Sequence, residues 1–396
     1  MSRTAIRVLW LTGEYHQPAD MGMYIYSAAL LAGAEAAGNF DIRLVAHQRP
    51  GSTPDLPADG RWHLVTTPTP PRFHGLLETR PHMVAEVADG AWRAAVAHEM
   101  AVHRPQAVVF DHLRTGGALD LVPHDVGVVY LAQNHETAWK RAAAHEHPMF
   151  NPRRWVLTWD LARLRRLENR MLSRAQQVTA ITDLDRQTMQ PQRPARLDPI
   201  EIMPPPLPER SRSPRPHARG SRRRATIVTT LEWSVKQADT AALLDVAAPA
   251  LAEAGIELSV VARGFVPPGW SERYPTVIFE GFVDDLDSYL RDSRLGLLYE
   301  PGGGGFKIKT LDFVLAGVPI VAHSLAVRGT GLEPGADYLE GPTPEAMVRH
   351  CEAAIDNLDQ LDKLARSAAE RILERFEPGR IGASLATLLE RAAHGR

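Results

Sequence analysis

The chain has 396 residues, 44% hydrophobic and 23% charged, with a formal net charge of −2. That length predicts two domains of roughly 150–200 residues, the composition is that of a globular protein, and the charge argues against a general nucleic-acid binder. One cysteine, Cys351, rules out an internal disulfide and a cysteine-based zinc site and fits a reducing cytoplasm.

MSRTAIRVLWLTGEY has no apolar core long enough for a signal peptide, and no window approaches the roughly 18 apolar residues of a membrane span. Ile6 to Leu11 reads as the first strand, followed by the loop LTGEYHQPADMGMY and a helix from near Met23 to Gly38. Strands then follow at Ile42 to Ala46 and Trp62 to Val65, a long helix at about Pro81 to His103, and strands at Ala107 to Phe110 and Gly127 to Leu131. Apolar runs alternating with helices predict a parallel sheet covered on both faces. Ligands of such sheets sit beyond the carboxyl ends of the strands. The candidates there are Gly13, Glu14, His16 and Gly22, then Asp111 and His112, then Gln133 to Glu136.

Asn151 to Ala175 is a basic helix with apolar residues at Leu157, Leu161, Leu164 and Met171. Its Trp155, Trp159 and seven arginines allow a membrane-surface element. The same spacing is that of a core-packed amphipathic helix, which is the preferred reading. Val178 to Ile181 is a strand, and Thr182 caps a short helix. A stretch rich in Pro, Ser and Arg over residues 204–224 then reads as a linker. It divides an N-terminal domain, 1–203, from a C-terminal one, 225–375. Residues 376–396 form a last helix, predicted to pack back on the first domain.

The second half repeats the alternation. Strands are expected at Ala225 to Thr230, Glu257 to Ala262 and Val277 to Glu280, with helices at Asp239 to Ala254 and Leu286 to Arg291. From Thr343 on the chain reads as helical. Between them lies LGLLYEPGGGGFKIKTLDFVLAGVPIVA. The apolar run Leu295 to Tyr299 breaks on Pro301 and four glycines, Gly302 to Gly305; a helix follows with Ile308, Leu311 and Leu315 on one face and Gly317 as its stop, then a strand at Val318 to Ala322. Strand, glycine loop and helix aim backbone N–H groups at an anion. Lys307 and Lys309 add positive charge where the helix dipole is already positive, which disfavours the helix and favours an anionic ligand. Phe306 between Gly305 and Lys307 rules out a Walker A loop, and no GxGxxG follows the first strand.

These residues give the chain its resemblance to the GT-B glycosyltransferases, and within them to the family-four retaining, nucleotide-sugar-dependent enzymes. The resemblance spans nearly the whole chain and is strongest over residues 225–332. It implies two Rossmann-like domains facing a cleft, with the donor nucleotide on the C-terminal domain, the acceptor on the N-terminal one, and neither a metal nor another cofactor. The family signature has two acids eight apart. Asp312 stands at the second position and Gly304 at the first, as in a sub-group with a glycine-rich loop there. By resemblance Gly303, Gly304, Gly305 and Phe306 offer N–H groups to the donor, with Lys307 beside them, and Asp312 accepts from its ribose. Lys236 matches the diphosphate-binding lysine, with Lys309 as a second cation. Gly281, Phe282 and Val283 match the loop that receives the base, and Gly22 the glycine loop after strand one. Gln133-Asn134-His135-Glu136 is similar to the family's His-Asn-x-Glu pattern, which makes His135 a candidate sugar contact. Asn134, Glu136, His16 and His112 are acceptor candidates. Asp285-Leu286-Asp287 spells a metal-binding DxD but starts a short helix, where capping is the expected role.

The implied activity is transfer of a sugar from a nucleotide-diphosphate sugar to a hydroxyl or amine, with retention. The acceptor is a small molecule, a glycan or a lipid-linked group, and peripheral membrane contact is left open. Two alternatives remain at this point: a nucleotide-sugar 2-epimerase on the same scaffold, and a non-catalytic nucleotide-sugar-binding protein.

Overall fold

A computed structural model describes residues 4–15, 22–48, 60–66, 80–145, 150, 152–207, 220–262, 265–302 and 306–395. The chain forms two units, Met1–Pro206 with Pro378–Arg396, and Leu207–Glu377.

The first unit runs β1 (Ile6–Glu14), α1 (Gly22–Ala37), β2 (Phe40–His47), β3 (Trp62–Val65), α2 (His82–Ala85), α3 (Gly90–His103) and β4 (Ala107–Asp111). It continues through β5 (Gly127–Ala132), α4 (Glu136–His145), α5 (Pro152–Arg174), β6 (Gln177–Ala180), α6 (Asp183–Met189) and β7 (Glu201–Ile202). Its seven strands lie in the order β3-β2-β1-β4-β5-β6-β7, every pair parallel. Val8 to Leu11 and Val128 to Ala132 are fully buried, as strands covered by helices on both faces must be. The order reverses between β1 and β4, the place where such sheets open a ligand crevice.

Three expectations need correction here. The long helix over Pro81 to His103 is two helices, because the Asp89 carboxylate accepts from Trp92 N at 2.7 Å and starts α3 afresh. Thr12, Gly13 and Glu14 belong to β1 rather than to the loop after it. The basic helix α5 is core-packed on one face only: Leu164, Met171 and Leu172 are buried, while Trp155 is 69% and Trp159 49% exposed. A 3-10 helix over Leu113–Leu121 had no periodic signature.

The second unit runs β8 (Arg222–Thr229), α7 (Ser234–Glu253), β9 (Glu257–Ala262), α8 (Trp270–Arg273), β10 (Val277–Glu280), α9 (Leu286–Arg291) and β11 (Ser293–Leu298). It ends with α10 (Ile308–Leu315), β12 (Ile320–Ala322), β13 (Leu339–Glu340), α11 (Pro344–Ala354) and α12 (Leu358–Arg375). The six parallel strands follow the same rule, β10-β9-β8-β11-β12-β13, with the reversal between β8 and β11. β8 begins three residues before the expected strand, inside the arginine run read as linker. Arg224 is buried there, donating to Ser293 Oγ at 3.1 Å and paired with Asp292, with its guanidinium 4.4 Å from the Tyr289 ring. Gly317 stops α10 in the left-handed region, at φ 73°, which only glycine enters freely.

The last helix, α13 (Pro378–Ala393), packs on α1 within the first unit. The helices cross backbone on backbone: a Cβ on Gly382 would lie 2.5 Å from the Gly33 carbonyl oxygen.

Candidate functional site

At the crevice of the second sheet, α7 follows β8 and brings Lys236 to its first turn, while β11 delivers Glu300 two residues past its end. Lys307 is the N-cap residue of α10, and Lys309 lies in that helix's first turn. All three lysines converge on one carboxylate. Lys236 Nζ is 2.6 Å and Lys307 Nζ 3.4 Å from Glu300 Oε2, Lys309 pairs with Oε1, and Lys309 Nζ also donates to the Val228 carbonyl at 3.2 Å. Glu300 is 2% exposed. Burial alone would raise its pKa, but the three ammonium groups outweigh it and hold the carboxyl at about 2. Burial pulls the Lys307 and Lys309 ammoniums below the ordinary lysine value, and Glu300 opposes that pull. Asp239, on the same face of α7 one turn on, has its carboxyl raised by burial, and its Oδ2 is buried without a hydrogen-bond partner. A cavity of roughly 10 Å³ lies among Lys236, Asp239, Glu300 and Lys309, room for about one water. The cluster is therefore three fixed cations around a resident carboxylate, at a strand-order switch and a helix N-terminus.

The sequence reading selected all three lysines and missed Glu300. The signal was present: a carboxylate two residues past a fully apolar strand, where ligands of parallel sheets sit. Gly303, Gly304 and Gly305 lie outside the described residues, as does His16. Phe306 is half-buried and packs against Phe376, ring centroids 5.5 Å apart. Asp312 is half-buried on α10. Phe282 is 72% exposed and Val283 half-buried in the turn after β10. Asp285 accepts from Ser288 N at 3.0 Å and caps α9. Among the described residues no group of three or more His, Cys, Asp or Glu is placed to hold a metal ion.

The first sheet gathers a second group at the ends of β4 and β5. Trp10 Nε1 donates to Asp111 Oδ2 at 3.1 Å, and Gln133 Nε2 donates to Asp111 Oδ1 and to Ser27. His112 sits at φ 78°, a strained conformation for a side-chain-bearing residue. Its Nδ1 accepts from Arg114 N at 3.2 Å, which leaves the proton on Nε2 to be donated to Glu136 Oε1 at 3.1 Å. Asn134 donates to the same oxygen at 3.2 Å. His112, Asn134 and Glu136, three of the acceptor candidates, thus form one hydrogen-bonded network. His135 turns elsewhere. Its Nδ1 lies 3.0 Å from Thr188 Oγ1, its Nε2 lies 3.4 Å from Glu168 Oε2, and burial lowers its pKa. Glu168, which the sequence did not single out, is fully buried and accepts from the N–H groups of Glu136 and Thr137 at the start of α4. Burial raises its carboxyl to about 7 despite those two donors. Gly22 opens α1 and is exposed.

No family model matches the chain, and no curated protein matches it. Solved structures do. The chain is similar to a sucrose-phosphate synthase from Thermosynechococcus elongatus, with a TM-score of 0.70 at 13% identity, over 99% of this chain and 100% of that one. It is similar to Anabaena HepE in complex with UDP-glucose, at 0.64 and 14%, over 97% and 99%. It is also similar to WaaG, a glycosyltransferase involved in lipopolysaccharide biosynthesis, at 0.63 and 15%, over 98% of both chains. Two parallel sheets of matching strand order, alike over the whole length of such proteins, give this chain the GT-B fold of the glycosyltransferases.

Proposed function

We propose that the chain transfers a sugar from a nucleotide-diphosphate sugar to a hydroxyl or amine acceptor, with retention and without a metal ion. The observation that carries this is the convergence of Lys236, Lys307 and Lys309 on Glu300 at the switch point of the second sheet. A pyrophosphate leaving group gains negative charge as the bond to the sugar breaks. Preorganised cations and helix N–H groups oppose that charge most strongly where water is excluded. The lysines would do here what a metal does elsewhere. HepE, which shares the fold, is seen with UDP and UDP-glucose, which supports a nucleotide-sugar donor. The sugar, oxocarbenium-like in the transition state, is attacked from the face the diphosphate leaves, and a phosphate oxygen takes the acceptor proton. The network of His112, Asn134 and Glu136 supports acceptor binding on the first unit; His135, held by Thr188 and Glu168, lends no support to a sugar contact.

A thermal-shift panel of UDP-, GDP-, ADP- and dTDP-sugars tests the donor. Ligand at 100 times its dissociation constant stabilises by about 2.7 kcal/mol. Lys236→Ala and Lys309→Ala should each weaken the bound donor by about 10- to 100-fold, the worth of one charge-assisted contact. Normal affinity and turnover in both variants would move the diphosphate site elsewhere. Product analysis by NMR reads the anomer: inversion removes the retaining mechanism, and a new nucleotide sugar formed without acceptor shows an epimerase.

A further inference from the structure

We propose that the exposed face of α5, with Trp139 of α4 and Phe150 between the two helices, docks on an anionic membrane surface. Five of the twelve large apolar side chains left exposed among the described residues fall between residues 139 and 159. They are Trp139 at 54%, Phe150 at 92%, Trp155 at 69%, Val156 at 46% and Trp159 at 49% exposure. Scattered singly such residues mean nothing, but a cluster of this size marks an interaction surface. Helix geometry gathers them. Trp155, Trp159, Ala162, Arg166 and Arg170 follow one another at four- and three-residue steps and are all exposed, so they share one stripe about 22 Å long. The two helices run antiparallel, since Glu136 and Thr137 bond to Glu168 while Lys140 pairs with Asp160. That pairing sets Trp139 level with Trp159.

Charge selects the occupant. α5 carries seven arginines and two acids, in a chain whose net charge is −2. Both acids, Asp160 and Glu168, are buried. What the helix shows to solvent is therefore basic: Arg165, Arg166 and Arg170 are exposed beyond the tryptophans, and Arg163 lies 3.7 Å over the Trp159 ring. Arg141 and Arg165 also flank a surface depression of about 420 Å³ between α4, α5 and α6, which suits a phosphate headgroup. Tryptophan prefers the boundary where its ring is in an apolar layer and its N–H is wet. Arginines beside it add attraction to anionic lipid. A protein partner of ordinary interface composition would not call for this segregation of aromatic and cationic halves along one helix.

Flotation with vesicles tests the docking. The full chain should float with phosphatidylcholine–phosphatidylglycerol vesicles containing about 30% anionic lipid, and not with pure phosphatidylcholine. Trp155→Ser with Trp159→Ser should weaken the anionic binding by at least about tenfold. Arg165→Gln, Arg166→Gln and Arg170→Gln together should weaken it by on the order of a hundredfold and flatten its salt dependence, each arginine being worth about a factor of five. All five positions are exposed, so unchanged melting temperatures show that the variants remain folded. No binding by the native chain, or binding unaltered in both variants, overturns the proposal. So does a dimer in sedimentation that the tryptophan variant dissolves, since the face would then cover a second copy.

Discussion

Glu300 is where residue-scale electrostatics decide most. With three ammonium groups on it, the ionised carboxylate stabilises the fold. Its pKa in the folded chain is lowered to about 2 from an ordinary 4.5, so this contribution is complete above the ordinary value and is lost as pH falls from about 4.5 toward 2. The shift corresponds to roughly 3 kcal/mol. Glu300→Gln should cost about 3 kcal/mol at neutral pH, measured by urea denaturation, and should remove that part of the acid dependence. The same carboxylate competes with an incoming anion. Glu300→Gln is therefore expected to bind inorganic pyrophosphate at least about tenfold more tightly by calorimetry, the three ammonium groups being relieved of their internal partner. Weaker pyrophosphate binding would show that Glu300 supports the anion rather than competing with it. Lys307 and Lys309 were legible because cations at a helix start contradict the dipole, and Lys236 through its match to the family's diphosphate-binding lysine. Glu300 was legible in principle from its place two residues past an apolar strand; Glu168 was not, since an isolated carboxylate inside a helical pattern carries no mark of its burial.

Elements were legible where one period held without interruption. The strands expected to end at Leu11, Phe110 and Leu131 end at Glu14, Asp111 and Ala132, and the strand–glycine–helix unit around Leu295 to Leu315 likewise falls close to its expected place. The break between α2 and α3 escaped notice because it depends on one side chain, Asp89, capping a new helix. For α5 the spacing showed an amphipathic helix but not that its tryptophans face solvent, because the aromatic stripe and the aliphatic stripe are both apolar. The crossing of α1 and α13 is also set by a feature without periodicity, a glycine on each helix. Gly382→Ala forces a Cβ to 2.5 Å from a backbone oxygen, and backbone cannot rotate away as a side chain can. Its expected cost is about 1–3 kcal/mol, read from the urea midpoint. A cost near zero would mean that the helices shift apart freely.

The whole molecule is two sheets built on one strand order, and that repetition was evident from alternating apolar runs. Assignment of the last helix to the first unit is a matter of long-range packing. Ile381, Leu385, Leu388 and Leu389 of α13 are buried, together worth roughly 6–12 kcal/mol. That approaches the entire stability of a domain. Ending the chain after Glu377 should unfold the first unit while the second keeps its own core, which contains no residue beyond Phe376. Calorimetry of the shortened chain checks this. Two transitions at their native temperatures would show that α13 is dispensable.

The placement of α13 has a consequence for synthesis. The ribosome makes residues 1–206 first, yet that unit lacks a helix until 378–393 emerge. Leu207–Glu377, begun later, is the unit whose residues are all available sooner. Domains generally fold in the order in which they are made; here the order of completion runs opposite to the order of initiation. The bare flank of α1 must wait, uncovered, while an entire second fold is translated.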